Sequence, residues 1–183
     1  MRLIMLRNLT FLLLLSPLLF TACSDDDSDA MAPDTADEVV LDGTSFTLTK
    51  GFVESIGGNA GQSTFDFDFH LTDEGIVQNV FTGFAGNGNY VYLDLNCDCP
   101  GESPSTGTYT YNTTGERTAF SIVSAYAILD DAVAFGTGIN DFTATGGTVE
   151  VERFGDEYVL TLNLTDAAGE TLTGEFGGAF TDL

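Results

Sequence analysis

Residues 65–71 read Phe-Asp-Phe-Asp-Phe-His-Leu, so apolar and polar side chains alternate there without exception. Successive side chains of a β-strand point to opposite faces, whereas a helix brings side chains to one face every three to four positions. One face of the strand then carries Phe65, Phe67, Phe69 and Leu71, and the other carries Asp66, Asp68 and His70. This segment predicts a β-strand with an apolar inner face.

The same alternation recurs throughout residues 39–183, and it is clearest in residues 90–95, 148–152 and 158–164. Turn-forming Gly, Asn and Asp residues separate these runs. We count about nine to eleven short strands and no amphipathic helix. The pattern predicts an all-β fold for residues 39–183, a single antiparallel β-sandwich or barrel, and it leaves the choice between these two open.

Four segments of this domain carry more specific predictions. Residues 120–135 are apolar at odd and even positions, which predicts a strand buried on both faces with Asp130-Asp131 as the following turn. In residues 172–180 glycines stand between large apolar residues, which predicts a closely packed or sharply curved strand. Gly155-Asp156 and Asp166–Gly169 predict turns between the last strands.

The first 22 residues have a different character. Arg2 and Arg7 precede an apolar run from Leu9 to Phe20. A helix of about twelve residues rises roughly 18 Å, which is less than the ~30 Å hydrocarbon core of a bilayer. Residues 1–22 therefore predict a signal peptide and not a membrane-spanning helix.

The sequence Phe20-Thr21-Ala22-Cys23 resembles the lipobox of bacterial lipoproteins. The resemblance implies cleavage before Cys23 and lipidation of that residue by a diacylglyceryl group and an N-acyl chain, which together give stable anchoring. Ser24 and the acidic residues after it resemble the surface-export signal of Bacteroidetes-type lipoproteins, which implies the exterior of the outer membrane. Residues 23–38 are acidic and almost without apolar bulk, so we expect the lipidated cysteine to begin a disordered tether.

Without residues 1–22 the chain has three basic residues, Lys50, Arg117 and Arg153, against 28 acidic ones, for a net charge of −25. No Lys/Arg patch exists to displace phosphate counterions, which excludes non-specific nucleic-acid binding, and anionic lipid head groups are disfavoured as well. We expect contact with the membrane through the N-terminal lipid only. The acidity fits adaptation to high salt. Ca²⁺ binding is the alternative, and otherwise we expect no cofactor.

Cys97 and Cys99 lie two residues apart in Asn-Cys-Asp-Cys-Pro. Outside the inner membrane the conditions permit disulfides, and a bridge over this spacing requires a local bend. Free thiols and a two-thiolate metal site are the alternatives, although zinc demands further ligands. We favour a disulfide that locks a turn.

Asp66, Asp68 and His70, the only histidine of the chain, share one strand face at steps of ~6.8 Å. Such a set is suited to begin a metal site or an acid–base pair. The interpretation that we favour is the solvent face of an amphipathic strand, because acidic residues are abundant throughout the chain.

No Gly-x-Ser-x-Gly sequence occurs, so we expect no enzymatic activity, with an unrecognised hydrolase as the alternative. Five tyrosines suggest either a stacking platform for sugar rings or core positions, and we favour the core: Tyr90, Tyr92, Tyr109, Tyr111 and Tyr126. Two functions follow. The first is a display or binding module for a glycan or protein partner, and the second is a lipocalin-like barrel that encloses a small apolar ligand.

Several segments resemble a group of small, uncharacterised lipoproteins of flavobacterial type: residues 43–51, 89–95, 107–111, 146–151, 155–158 and 169–178. The resemblance implies a β-rich exported domain. It assigns no catalytic residue.

Overall fold

The computed structural model describes residues 33–80, 83–99, 103–134 and 140–183. These ranges contain eleven strands: β1 (Glu38–Leu41), β2 (Thr44–Thr47), β3 (Lys50–Gly58), β4 (Phe65–Thr72), β5 (Ile76–Asn79), β6 (Gly83–Cys97), β7 (Gly107–Tyr111), β8 (Ser121–Ala134), β9 (Phe142–Phe154), β10 (Glu157–Asp166) and β11 (Thr171–Asp182). Within the same ranges no helix is long and apolar enough to cross a bilayer.

Eight of the strands close into a barrel in the order β3, β4, β6, β8, β7, β9, β10 and β11, after which β11 pairs with β3 again. β1 and β2 extend the sheet beside β11, and β5 pairs with β6. The contacts between β3 and β11 and between β7 and β8 are parallel, so the sheet is mixed and not purely antiparallel. The all-β prediction is confirmed, and of its two alternatives the barrel is the one formed.

The barrel interior holds one continuous apolar core. Phe67, Phe69 and Leu71 of β4 are almost completely buried there, as the alternation in the sequence predicts. The Phe69 ring meets the ring of Tyr158 edge-on with centroids 5.9 Å apart, and that of Phe180 with centroids 5.5 Å apart. Tyr109 and Phe142 fill further volume from β7 and β9. Large side chains from strands around the barrel therefore meet in its centre.

β11 shows why glycine alternates with large residues in residues 172–180. Leu172 and Phe176 are buried in the core, and Phe180 packs against it. Gly174 lies between them with φ of 142°, and a Cβ atom there would lie 2.2 Å from the carbonyl oxygen of Glu38. The close approach of β1 to β11 therefore requires a residue without a side chain, and the prediction of close packing is confirmed at this position.

The prediction of a turn at Asp130-Asp131 is wrong. β8 continues to Ala134, and its pairing with β6 shifts register between Gly88 and Tyr90. Asp130 has a positive φ of 53°, and its backbone N–H donates to the side-chain oxygen of Asn89 at 3.0 Å. An Asp that accepts a left-handed conformation serves a bulge as well as a turn, so the local sequence did not distinguish them.

The two predicted turns between the last strands are present. Phe154 pairs with Glu157 across the two-residue loop Gly155-Asp156. In the other turn, the N–H of Gly169 donates to the carbonyl oxygen of Asp166 at 3.3 Å. Both turns place consecutive strands side by side, which explains the antiparallel order of β9, β10 and β11.

The end of the predicted tether contacts the barrel. The N–H of Leu48 donates to the carbonyl oxygen of Asp37 at 2.9 Å, and the N–H of Gly177 donates to its carboxylate at 3.0 Å. β1 begins at the next residue, Glu38. The predicted signal peptide, Cys23 and the tether as far as residue 32 lie outside the described residues.

We expect Phe69→Ala to lower the free energy of unfolding by about 3–5 kcal/mol, because it removes a fully buried ring and leaves a cavity in the barrel. Urea denaturation followed by circular dichroism measures the change. Val77→Ala is the control: Val77 is 59% exposed, and its truncation should change the free energy by no more than about 0.5 kcal/mol. A loss below about 1 kcal/mol for Phe69→Ala would contradict a packed interior.

Candidate functional site

The outward face of β4 is largely covered, and it does not lie in open solvent. On β4, Asp66 is 5% exposed and His70 is 8% exposed. The favoured interpretation as a solvent face is therefore wrong for Asp66 and His70, whereas Asp68 is half-buried. The alternation in the sequence correctly separates the two faces of β4, but the outward face is buried by residues from other parts of the chain.

Strand register arranges this outward face in rows of side chains across the sheet. One row contains Phe52 of β3, His70 of β4, Tyr92 of β6 and Tyr126 of β8. The next row contains Glu54, Asp68, Asp94 and Ser124. An aromatic row thus lies directly beside an acidic row.

The aromatic row is part of an outer cluster, which we define as Phe52, His70, Phe84, Tyr90, Tyr92 and Tyr126. Phe84 stacks on His70 with ring centroids 4.4 Å apart. The residue of β6 that pairs with His70 is Tyr92, which lies eight residues after Phe84. β6 must therefore curve back over the sheet. Gly86 lies in that segment with φ of 141°, and a Cβ atom there would lie 2.2 Å from the carbonyl oxygen of Gly75.

His70 is held in one orientation by its first ring nitrogen. Nδ1 lies 2.7 Å from the hydroxyl of Tyr90, and Nε2 is buried without a hydrogen-bond partner among the described residues. Burial lowers the pKa of His70 to about 4, so the imidazole is neutral at neutral pH. Burial also raises the pKa of Tyr90, and its hydrogen bond with Tyr126 adds to the rise. The site therefore presents a neutral imidazole with one unused nitrogen.

Asp68 is the central carboxylate of the acidic row. Burial raises its pKa to about 6, and the hydrogen bond from the Tyr92 hydroxyl opposes this rise. Glu54 lies directly opposite on β3 and Asp94 directly opposite on β6. Asp68 is only half-buried, so the row remains open to small molecules and ions.

Asp66 and Asp94 form a second acidic group, which shares Arg117 as a counterion. The guanidinium group donates to Asp66 and lies 3.3 Å from both oxygens of Asp94. Burial, with a further contribution from Asp66, raises the pKa of Asp94, and Arg117 opposes the rise. Arg117 lies between β7 and β8, and its carbonyl oxygen accepts from the Thr64 hydroxyl at 2.9 Å. A residue distant in sequence thus supplies the counterion for both strands.

The sequence-predicted set of Asp66, Asp68 and His70 is therefore divided. Asp66 belongs with Asp94 and Arg117, whereas Asp68 and His70 belong with Glu54. Sequence reasoning missed Glu54 and Arg117 as site residues. The two-residue spacing of Phe52 and Glu54 on β3 could have predicted that they share a face. The strand pairing that brings Glu54 to Asp68 has no local signal in the sequence.

The five tyrosines are also divided between two environments. Tyr109 is fully buried in the barrel core, and the half-buried Tyr111 packs against that core. Tyr90, Tyr92 and Tyr126 belong to the outer cluster on the opposite face of the sheet. The favoured core interpretation is correct for Tyr109 and Tyr111. Tyr90 is buried as well, but in the outer cluster, where Tyr92 and Tyr126 are only half-buried.

Cys97 and Cys99 form the disulfide favoured from the sequence, with Cα atoms 5.2 Å apart. Both residues are buried at the end of β6, while Asp98 between them is exposed. The bridge therefore lies at the end of β6 that pairs with Phe65 and Asp66.

A surface recess of ≈ 560 Å³ lies at the other end of the site, lined in part by Thr47, Asp73, Asn89 and Asp130. The carboxylate of Asp73 already accepts the backbone N–H groups of Gly75 at 2.8 Å and Asn89 at 2.7 Å. Asp73 therefore holds the surrounding loops together, and its oxygens are committed to the backbone.

No family model, no curated protein and no solved structure matches this chain.

We expect Arg117→Gln to lower the free energy of unfolding by about 3 kcal/mol, because it leaves the buried carboxylates Asp66 and Asp94 without a counterion. Arg153→Gln is the matched control. Arg153 meets the exposed Asp156 at 3.8 Å, and its replacement should cost no more than about 1 kcal/mol. Chemical denaturation at pH 7 measures both variants, and equal losses would contradict the role of Arg117.

Proposed function

We propose that this protein is a lipid-anchored module of the cell surface that binds an external partner on the outer face of its barrel. The observation that carries the proposal is the outer cluster, where the half-buried rings of Phe52, Tyr92 and Tyr126 lie beside an acidic row. The resemblance of Phe20–Cys23 to a lipobox, and of the residues after it to a surface-export signal, supports the location.

The packed interior favours binding on the outside over a lipocalin-like carrier. A carrier requires a closed barrel with an empty interior. The barrel closes, but Phe67, Phe69, Tyr109 and Phe142 are each no more than 1% exposed and pack in its centre. An apolar ligand would have to displace these side chains, so we place the ligand elsewhere.

A glycan is the partner that fits the outer face best. The rings of Tyr92 and Tyr126 lie 4.9 Å apart, and both remain half-buried, so each keeps an accessible part for stacking on a sugar ring. Glu54 and Asp68 supply carboxylate oxygens beside these rings, and ionised carboxylates accept hydrogen bonds from sugar hydroxyls. A net charge of −25 in the chain without its first 22 residues repels acidic polysaccharides, so we expect a neutral or cationic glycan.

The proposal includes no reaction. His70 is hydrogen-bonded to Tyr90, and among the described contacts of His70 no serine or cysteine provides a nucleophile. Hydrolysis by activation of such a residue requires nucleophile and base within hydrogen-bond reach. We therefore propose a binding protein and not an enzyme.

We expect Tyr126→Ala to weaken glycan binding by about tenfold or more, because truncation removes one half of the aromatic platform. Binding of the purified protein to a panel of immobilised neutral and amino-sugar polysaccharides gives the dissociation constants. Tyr126→Phe keeps the ring and should bind within about twofold of the wild type.

Tyr111→Ala is the control, since Tyr111 is also half-buried but packs against the barrel core. Its glycan affinity should equal that of the wild type. The proposal fails if Tyr126→Ala binds as tightly as the wild type, or if the wild type binds no member of the panel.

We expect Cys23→Ala to leave the protein in the aqueous phase after Triton X-114 partitioning of whole cells, because the variant has no residue to carry the lipid. Cys99→Ala also removes one cysteine, but it keeps the lipobox and should stay in the detergent phase. Recovery of Cys23→Ala with the detergent would remove the anchoring part of the proposal.

A further inference from the structure

We propose that Glu54, Asp68 and His70 form a binding site for a first-row divalent transition metal, with Zn²⁺ as the first candidate. The site goes beyond the proposed glycan binding. It shares Glu54 and Asp68 with the proposed glycan face, but a metal ion needs no glycan in order to bind there.

Strand pairing brings the three residues together. Glu54 of β3 lies directly opposite Asp68 of β4, and His70 follows Asp68 on the same face of β4. One ligand atom from each residue lies within 4.8 Å of the ligand atoms of the other two. Two ligands at ~2.1 Å from one Zn²⁺ ion are ~3.4 Å apart in a tetrahedron, so side-chain movements of about 1 Å suffice to close the site.

The unpartnered nitrogen of His70 is the observation that separates this group from an ordinary acidic surface. His70 is only 8% exposed, and its Nε2 is buried with no hydrogen-bond partner in the described part of the chain. Burial of an unpaired polar atom costs free energy, so such an atom calls for an explanation. A metal ion on Nε2 provides one.

The partner of the other ring nitrogen fits this role. A histidine that binds a metal usually fixes its orientation through the nitrogen that does not bind. Here Nδ1 is held at 2.7 Å from the Tyr90 hydroxyl. The two nitrogens point to different sides of the ring, so Nε2 is directed away from Tyr90. When Nδ1 carries the proton, Nε2 presents its lone pair.

The neighbouring acidic group is a poorer metal site. Ligand atoms of Asp66, Asp68 and Asp94 also lie within 4.8 Å of one another. However, Arg117 already places its positive charge on Asp66 and Asp94. The ion pairs of Lys50 and Arg153 go to Glu74 and Asp156, so among the residues that the structure describes no basic side chain forms an ion pair with Glu54 or Asp68. Glu54 and Asp68 therefore keep their oxygens free of ion pairs, unlike Asp66 and Asp94.

The donor set determines the class of metal. Ca²⁺ and Mg²⁺ prefer oxygen ligands throughout, whereas one imidazole nitrogen with two carboxylates suits Zn²⁺ and its first-row neighbours. Three protein ligands leave a coordination position for water, and Glu54 and Asp68 are both half-buried, so the ion has access from solvent.

The test is titration of the purified full-length protein, after removal of metal with EDTA, with Zn²⁺ in a calorimeter and with Co²⁺ in a visible spectrometer. We expect one Zn²⁺ ion per chain and Co²⁺ absorption bands of a site with four or five ligands. His70→Gln and Glu54→Gln should each weaken Zn²⁺ binding by about 100-fold, and Tyr90→Phe by about tenfold with the stoichiometry unchanged.

Glu152→Gln is the matched control, since it removes an exposed carboxylate of β9. It should bind Zn²⁺ as the wild type does. Glu54 is half-buried, so Glu54→Gln should keep the fold, which circular dichroism verifies, even where His70→Gln does not. The proposal is overturned if the wild type binds no Zn²⁺, or if Glu54→Gln and Glu152→Gln bind it equally, as weak adsorption to an acidic surface predicts. No glycan is present, so the outcome is separate from that of the proposed function.

Discussion

Burial of β4 and β6 on both faces is the constraint on which the rest of the structure depends. Their inward side chains form the barrel core, so a polar outward face would ordinarily be left to water. Here the outward face is covered as well, and each polar group on it needs a partner. Arg117 is the shared counterion of Asp66 and Asp94. Tyr90 is hydrogen-bonded to His70, and Tyr92 is hydrogen-bonded to Asp68.

The distribution of charge follows from this constraint. An acidic side chain in solvent is inexpensive, whereas a buried carboxylate requires a counterion or a proton. Of the three basic residues after residue 22, Arg117 lies where burial of carboxylates is greatest, while Lys50 and Arg153 pair with exposed acids. Glu54 and Asp68 take no direct part in these ion pairs, although the charge of Arg117 acts on Asp68 from a distance. The outer face is consequently the part of the barrel where described polar atoms lack hydrogen-bond partners, whereas the interior is filled with apolar side chains.

The local sequence predicted the strands correctly, but it did not predict which of their outward-facing side chains are buried. The alternation of Phe65–Leu71 indicated which side chains share a face, and that assignment is correct because it depends only on backbone geometry. The burial of Asp66 and His70 could not be predicted from the local sequence, because Phe84 and Arg117 contact them from other parts of the chain. The prediction of a turn at Asp130-Asp131 was wrong for a related reason. The same residues suit a turn and a bulge, and only the pairing of β8 with β6 selects the bulge.

The sequence by itself determined that residues 39–183 form an all-β fold, which side chains lie together on a strand, and which short loops reverse the chain, because period and turn chemistry are local properties. Tertiary structure alone decided that the sheet closes, that the barrel is filled, and that Glu54 joins Asp68 and His70. These outcomes depend on strand order and register, which pair residues far apart in the chain. No local pattern records such a pairing.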